Sequence, residues 1–476
     1  MATLANLSPK AAIIVLVEHA FDVAVIGGGV VGCAIASALV RESLQVVLLE
    51  ATADVGAGTS KANTAIWHTG FDAKPGTHEA RLVARGHQLL AERGDDFGWP
   101  LERTGALLVA WDADQLFRLD SISANARATG YARIEVKSQS QVYELEPNLG
   151  VGALGGLLVP DEGLLDPWSI VIALATDFVV NGGTLRRKAA VTGAVHEAGA
   201  HELHTPAGPV RAAWVINAAG LNSDVVDRLL GHEGFTITPR RGQLIVFDKL
   251  ARSLVKHVIL PVPTATTKGV LVAPTIYGNV LLGPTAEDLT DKAATETTAT
   301  GLAGLFEKGR AIMPKLLMEE VTATYSGLRA ASEHSDYCYE VFPDNYVRVG
   351  GIRSTGISSA LAIAEQVVAD LRERGVAMQT LATPATVAVP NLAESRMRPY
   401  QDAARIAADP AYGRILCLCE RVSLGEVRDA LMSPVPAGDI DGLRRRTRAL
   451  AGRCQGFHCG ALITEMTSAW SGHSHA

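Results

Sequence analysis

Residues 22–50 read DVAVIGGGVVGCAIASALVRESLQVVLLE, and this stretch decides the fold. Asp22–Ile26 is a short apolar run of the kind that fills a buried parallel strand. It runs directly into Gly27-Gly28-Gly29-Val30-Val31-Gly32, a G-x-G-x-x-G. A helix is expected to about Ser43, followed by a second strand over Gln45–Leu49 that ends at Glu50. Gly27 permits the tight turn, Gly29 lets a pyrophosphate reach the backbone, and Gly32 lets helix and strand pack closely. Val30 and Val31 begin the helix, whose unpaired N–H groups and positive dipole end favour phosphate. Glu50 is placed to accept ribose hydroxyls, and its charge opposes a 2′-phosphate. The unit is built for a dinucleotide. It does not by itself separate NAD from FAD.

The surrounding composition narrows the setting. The chain has 476 residues, enough for two or three domains with their own cores. Its net charge of −7 offers no basic field for nucleic acid or for an anionic membrane surface. The apolar run Ala11–Val17 is cut by Glu18 and His19, too short to span a bilayer, and no cleavage site follows it. Residues 1–20 read as an extension before the first strand, and the expected location is the cytoplasm, or the inner face of a membrane held there by a partner.

Five later stretches take up the cofactor question. They are GAGTSKANTAIWHTGFDAKPGT (56–77), TPRRGQLIVFD (238–248), APTIYGNVLLGPTAED (273–288), GLRA (327–330) and VGGIRSTGISSALAIAEQV (349–367). WVINAAG (214–220) reads as a strand ending in small residues, suited to close passage beside a cofactor. A helix from about Ile357 would aim its positive end into the same region. In this order, over about residues 21–375, the stretches resemble the D-amino-acid-oxidase-like FAD oxidoreductases, particularly glycerol-3-phosphate and 2-hydroxyglutarate dehydrogenases.

The resemblance implies an α/β fold: a Rossmann-type FAD-binding domain (1–77, 149–239 and 326–380) with an inserted α+β substrate domain (78–148 and 240–325). Beyond the fingerprint it implies FAD contacts at Thr59, Ser60, Asn63, Thr64, His68, Val191, Ala219, Gly220, Gly351, Ile352, Arg353, Gly356 and Ile357. It places His68 beside the flavin ring, where an imidazole can orient a substrate hydroxyl or take its proton. Arg329 and Arg353 are the expected anchors for an anionic substrate, since a planar guanidinium captures phosphate or carboxylate in bidentate fashion. Arg240, Arg241 and Tyr277 are weaker candidates. Two departures leave the substrate open: Ser354-Thr355-Gly356 stands where many 2-hydroxyglutarate-type relatives carry Ser-Pro-Gly, and WHTGFDAKPGT differs from bacterial glycerol-3-phosphate enzymes.

The C-terminal part carries a second site. Residues 381–411 hold prolines at 384, 390, 399 and 410 and read as a linker. Residues 412–476 then contain Cys417 and Cys419, and farther on Cys454 and Cys459. Ser423 is placed to cap a helix over LGEVRDALM, and LRRRTRAL suggests another. Two thiol pairs can hold tetrahedral zinc or an iron–sulfur cluster. The C-x-C…C-x₄-C spacing with LRRRTR…CQG…C resembles the small helical bacterioferritin-associated-ferredoxin-like domain, which implies a 2Fe-2S cluster with His458 as a neighbour. A flavin beside such a cluster implies a dehydrogenase, oxidising a secondary alcohol of a small anionic substrate and passing electrons to an acceptor protein or a quinone-linked partner. An amine oxidoreductase of the same fold, a 2-hydroxy-acid dehydrogenase and a non-catalytic electron-transfer subunit are the alternatives.

Overall fold

The computed structural model describes residues 20–197, 199–263 and 269–471. The extension before the first strand lies outside these residues. Among them, the first strand is Ala20–Ile26, buried from Val23 on, and the second is the buried Val46–Leu49, with the helix Val30–Val40 between them. The helix ends three residues short of Ser43, and Ser43 itself adopts a left-handed φ of 59°. Five parallel strands form the centre of the first sheet, in the order Tyr346–Gly350, Val210–Asn217, Ala20–Ile26, Val46–Leu49, Thr184–Arg186. Parallel strands must be covered on both faces. The helices Val30–Val40, Pro167–Val180 and Gly356–Glu373 enclose one core with Val23, Val25, Leu48, Ile216 and Val347.

A nine-stranded mixed sheet forms the second layer. Its longest pairing is antiparallel, between Ile237–Phe247 and Val321–Ser332, in a register that sets Arg240 opposite Arg329. This division differs from the boundaries expected above. Gly155–Val159, expected within the nucleotide-binding part, pairs with Ala106–Ala110 and Glu135–Ser138 of the second sheet. Helix His78–Phe97, expected in the inserted part, packs against Gly356–Glu373, so closely that a Cβ on Gly86 would fall 2.0 Å from the Ser358 carbonyl oxygen. Sheet pairing and helix packing, which bring together residues far apart in sequence, override boundaries read from local pattern.

Residues 381–411 are a pinned strap more than a free linker. Leu381 N–H donates to the Arg41 carbonyl, Val389 N–H to the Phe97 carbonyl, and a short helix occupies Ala403–Ala408. The C-terminal module then pairs Ile415–Cys417 with Val422–Ser423 and adds helices Leu424–Met432, Ile440–Thr447 and Gly460–Ser471. Ser423 caps the first of these in a reciprocal box with Glu426.

Candidate functional site

The glycine turn is built for backbone approach. Gly27 has φ 108°, and a Cβ there would sit 2.5 Å from the Ala218 carbonyl oxygen. At Gly32 a Cβ would meet the Gly27 carbonyl oxygen at 1.8 Å, which fixes helix against turn. At Gly29, by contrast, the first neighbour is the Ser60 hydroxyl at 3.3 Å, leaving the helix start open to a ligand. Ser60 Oγ accepts from Val30 N–H at 3.0 Å, so it stands at the helix N-terminus where phosphate is favoured. Glu50 is buried; its carboxylate accepts from Gly28 N–H at 2.8 Å and from Thr52 N–H at 2.7 Å. It therefore braces the turn, while its remaining lone pairs suit ribose hydroxyls. This cradle fits the ADP half of a dinucleotide.

One segment threads the expected cofactor contacts together. Thr59 Oγ donates to the Leu328 carbonyl, and Asn63 donates to the Ser60 carbonyl. Tyr325 OH donates to the Asn63 carbonyl, and a Cβ on Gly327 would lie 2.0 Å from the Ala62 carbonyl oxygen. Half-buried Thr64 continues the segment to His68, whose N–H donates to Ser358 Oγ at 3.0 Å, in the first turn of helix Gly356–Glu373. The segment thus joins the phosphate helix, the Arg329 strand and the last helix. Ile352 and Ile357 pack at the edge of the first core, Gly351 turns at φ 66° against Cys338, and Gly356 touches Ile352. Val191 and Ala219 line a separate core beneath Ala24 and Leu49, and Gly220 turns at φ 56°.

Arg329 and Arg353 differ in kind. Arg329 is half-buried and makes no hydrogen bond or ion pair among the described residues; burial and then the Arg240 charge hold its guanidinium below the ordinary arginine value. Arg353 is half-buried and donates to the His334 carbonyl. The weaker candidates are already engaged. Arg240 pairs with Asp288 at 2.8 Å, and Arg241 with Glu287 at 2.7 Å and Glu296 at 3.0 Å. Tyr277 is buried and donates to Asp166 at 2.5 Å. These three serve structure, because their polar atoms are satisfied within the protein.

The four cysteines meet as two pairs. Cys419 lies within hydrogen-bonding reach of Cys454, and Cys459 of Cys417. The His458 backbone, with smaller contributions from Cys419 and the Gly456 and Phe457 backbones, draws the Cys454 thiol below the usual range. Burial lifts Cys459 to about 11. Among the described residues no three His, Cys, Asp or Glu side chains are arranged around a single ion. Paired thiols ringed by N–H donors suit a two-iron cluster better than a lone tetrahedral zinc.

This module is clamped to the nucleotide-binding layer. Arg446 forks onto Asp54, which is wholly buried, at 2.5 and 2.9 Å. Arg445 donates to the Val55 carbonyl, and Lys61 pairs with Asp441 at 2.7 Å. Glu420, next to Cys419, pairs with Arg448 at 2.8 Å, and Arg448 lies 4.0 Å over the Tyr277 ring. Asp54 and Glu162 (below) were missed in the sequence, because neither acid sits in a spacing that marks chemistry.

Residues 22–371 match the family model DAO, FAD dependent oxidoreductase, and residues 415–467 match the BFD-like [2Fe-2S] binding domain. The chain belongs to the DAO family of FAD-dependent oxidoreductases. Its C-terminal module is a BFD-like [2Fe-2S] domain. This oxidoreductase is 35% identical over 450 residues to a glycerol 3-phosphate dehydrogenase of Caloramator mitchellensis, covering 94% of this chain and 93% of that one. It is 32% identical to the mitochondrial L-2-hydroxyglutarate dehydrogenase of Caenorhabditis elegans over 56% of this chain and 63% of that one. The solved L-alpha-glycerophosphate oxidase of Mycoplasma pneumoniae, with FAD bound, superposes with a TM-score of 0.74 at 27% identity, over 78% of this chain and all of that one. The expected fold and cofactors, FAD and a 2Fe-2S cluster, therefore stand. No helix among the described residues is long and apolar enough to cross a membrane.

Proposed function

We propose that this oxidoreductase converts the secondary alcohol of a small anionic substrate to a ketone, glycerol 3-phosphate before other polyol phosphates and 2-hydroxy acids. The observation that carries the reading is Arg329: a half-buried guanidinium without a hydrogen-bond or ion-pair partner among the described residues, on a strand packed directly against the 59–63 segment. A buried cation left unpaired is costly, and an incoming phosphate or carboxylate removes that cost with two parallel hydrogen bonds. Arg353, with one donor already used on a carbonyl, is the secondary anchor. His68 takes the hydroxyl proton as the carbon-bound hydrogen leaves with its electron pair. FAD bound in the glycine cradle supplies the hydride acceptor, and a [2Fe-2S] centre on Cys417, Cys419, Cys454 and Cys459 supplies a one-electron exit toward an acceptor protein or a quinone-linked partner. The second sheet is the substrate-side unit of this arrangement.

Anaerobic mixing of the holoenzyme with a panel of alcohols and amines tests the reading. Glycerol 3-phosphate is expected to bleach the flavin fastest, with unphosphorylated glycerol slower by orders of magnitude. Bleaching by amines alone, or equal rates with and without the anionic group, would overturn it.

A further inference from the structure

Glu162 lies in the turn between strands Gly155–Val159 and Gly163–Leu165, with its side chain 0% exposed. The register of the short sheet pairs Trp67 with Gly163, which brings Glu162 alongside His68 and Thr69. A Cβ on Gly163 would fall 2.4 Å from the Glu102 carbonyl oxygen, so the turn closes only around glycine. One carboxylate oxygen accepts from Thr69 N–H at 2.6 Å and Thr69 Oγ at 2.9 Å. The other faces His68 Nδ1 at 3.1 Å. A carboxylate can only accept, so Nδ1 must carry the proton, and Nε2 is the basic nitrogen of the neutral ring.

We propose that Glu162 is a positioning residue that fixes the tautomer of His68, making Nε2 the proton acceptor of alcohol oxidation. The part of this claim that concerns catalysis rests on the alcohol-oxidation reading above; the part that concerns the tautomer does not. Burying a carboxylate is expensive unless donors meet it, and here two of its three donors belong to Thr69, the residue that follows the histidine. The fixed acid therefore sets both the place of the loop and the proton on the ring. When Nε2 takes a proton, the adjacent negative charge stabilises the imidazolium. Among the described residues, further charged or titratable groups flank this loop. His87 Nδ1 meets the His68 carbonyl, Arg103 lies 4.8 Å over the Trp67 ring, and Asp161 pairs with Arg103.

Glu162→Gln tests the idea because it keeps the shape and reverses the polarity at Nδ1. Its carbonyl can still accept from Thr69, while its amide N–H₂ faces Nδ1 and forces the proton to Nε2. The full FAD-loaded chain, with ¹⁵N-labelled histidine and the His68 signal assigned by its loss in His68→Asn, is expected to show protonated Nδ1 in the wild type and protonated Nε2 in E162Q. Flavin reduction at saturating substrate should fall about 10²-fold or more in E162Q. KM should move little, and the ascending limb of the pH–rate profile should shift to lower pH. Glu162→Asp should restore part of the rate. A wild-type His68 carrying its neutral-form proton on Nε2 would overturn the proposal, and that measurement needs no variant to fold. So would an E162Q protein whose tautomer, rate and pH profile match the wild type. If His68→Asn itself reduces flavin at the wild-type rate, it is the base assignment that fails, while the tautomer result still decides the role of Glu162.

Discussion

In the proposed reading, Arg329 receives the substrate's anionic group. Its neighbour across the strand pair, Arg240, is neutralised by Asp288, and its own guanidinium has no counter-charge among the described residues. Truncating one partner of a desolvated charge pair typically costs about 2–5 kcal/mol. Arg329→Met should therefore lower kcat/KM for a phosphorylated alcohol by about 10²–10³-fold, with a smaller loss for Arg329→Lys, which keeps charge but not the planar fork. Steady-state kinetics with a soluble electron acceptor checks both. Gly32 is equally exacting in the cofactor cradle. Gly32→Ala puts a methyl 1.8 Å from a backbone oxygen, and flavin content of the purified protein should fall to a small fraction of the wild type. The two residues also mark what the sequence shows and what it hides. Gly32 is legible because its task is local, three residues past Gly29. Glu162 is not, because its partner lies 94 positions back in the chain and meets it only through the pairing of Trp67 with Gly163.

At the scale of elements, the βαβ unit of residues 22–50 follows from its residue pattern almost unaided, since a buried strand, a glycine turn and a helix each leave a local signature. The second sheet does not. Its strands come from 106–159 and 237–332, and only long-range pairing shows that Gly155–Val159 joins it. The prolines at 384, 390, 399 and 410 likewise read as a linker, yet the strap is held by backbone bonds from Leu381 to Arg41 and from Val389 to Phe97, which composition does not display. Helix Ile440–Thr447 clamps the iron–sulfur module through Arg445, Arg446 and Asp54. Removing this acid, a loss of about 3–5 kcal/mol, leaves buried Arg446 without a counter-charge among the described residues, while Arg445 keeps Asp441. Asp54→Asn should release the module, seen as rapid protease cleavage within 381–411 and as two thermal transitions in place of one. The Asp441 contact adds a pH dependence. Burial acts upward on this carboxyl, but Lys61 and Arg445 hold it below the ordinary aspartate value. Its contribution is present above the unfolded pKa of about 3.9 and is lost as pH falls through the lower folded value. The difference in thermal midpoint between wild type and Asp441→Asn should therefore close as the pH drops below about 4.

The whole molecule joins a hydride-accepting site to a one-electron site in one chain. The joint is made of matter on both sides. Trp168 Nε1 donates to the Lys61 carbonyl in the cofactor segment, Trp168 stacks on Tyr277, and Arg448 over Tyr277 reaches Glu420 beside Cys419. The central claim is that substrate electrons travel from the first site to the second. The most direct measurement is an anaerobic titration of the holoenzyme with glycerol 3-phosphate and no other acceptor, following flavin absorbance and the electron paramagnetic resonance of the reduced cluster together. FAD takes two electrons and a 2Fe-2S cluster one, so full reduction should consume about 1.5 equivalents of substrate per chain, with the cluster signal rising as the flavin bleaches. An end point at about one equivalent with a silent cluster, or a flavin that the substrate never bleaches, would contradict the account.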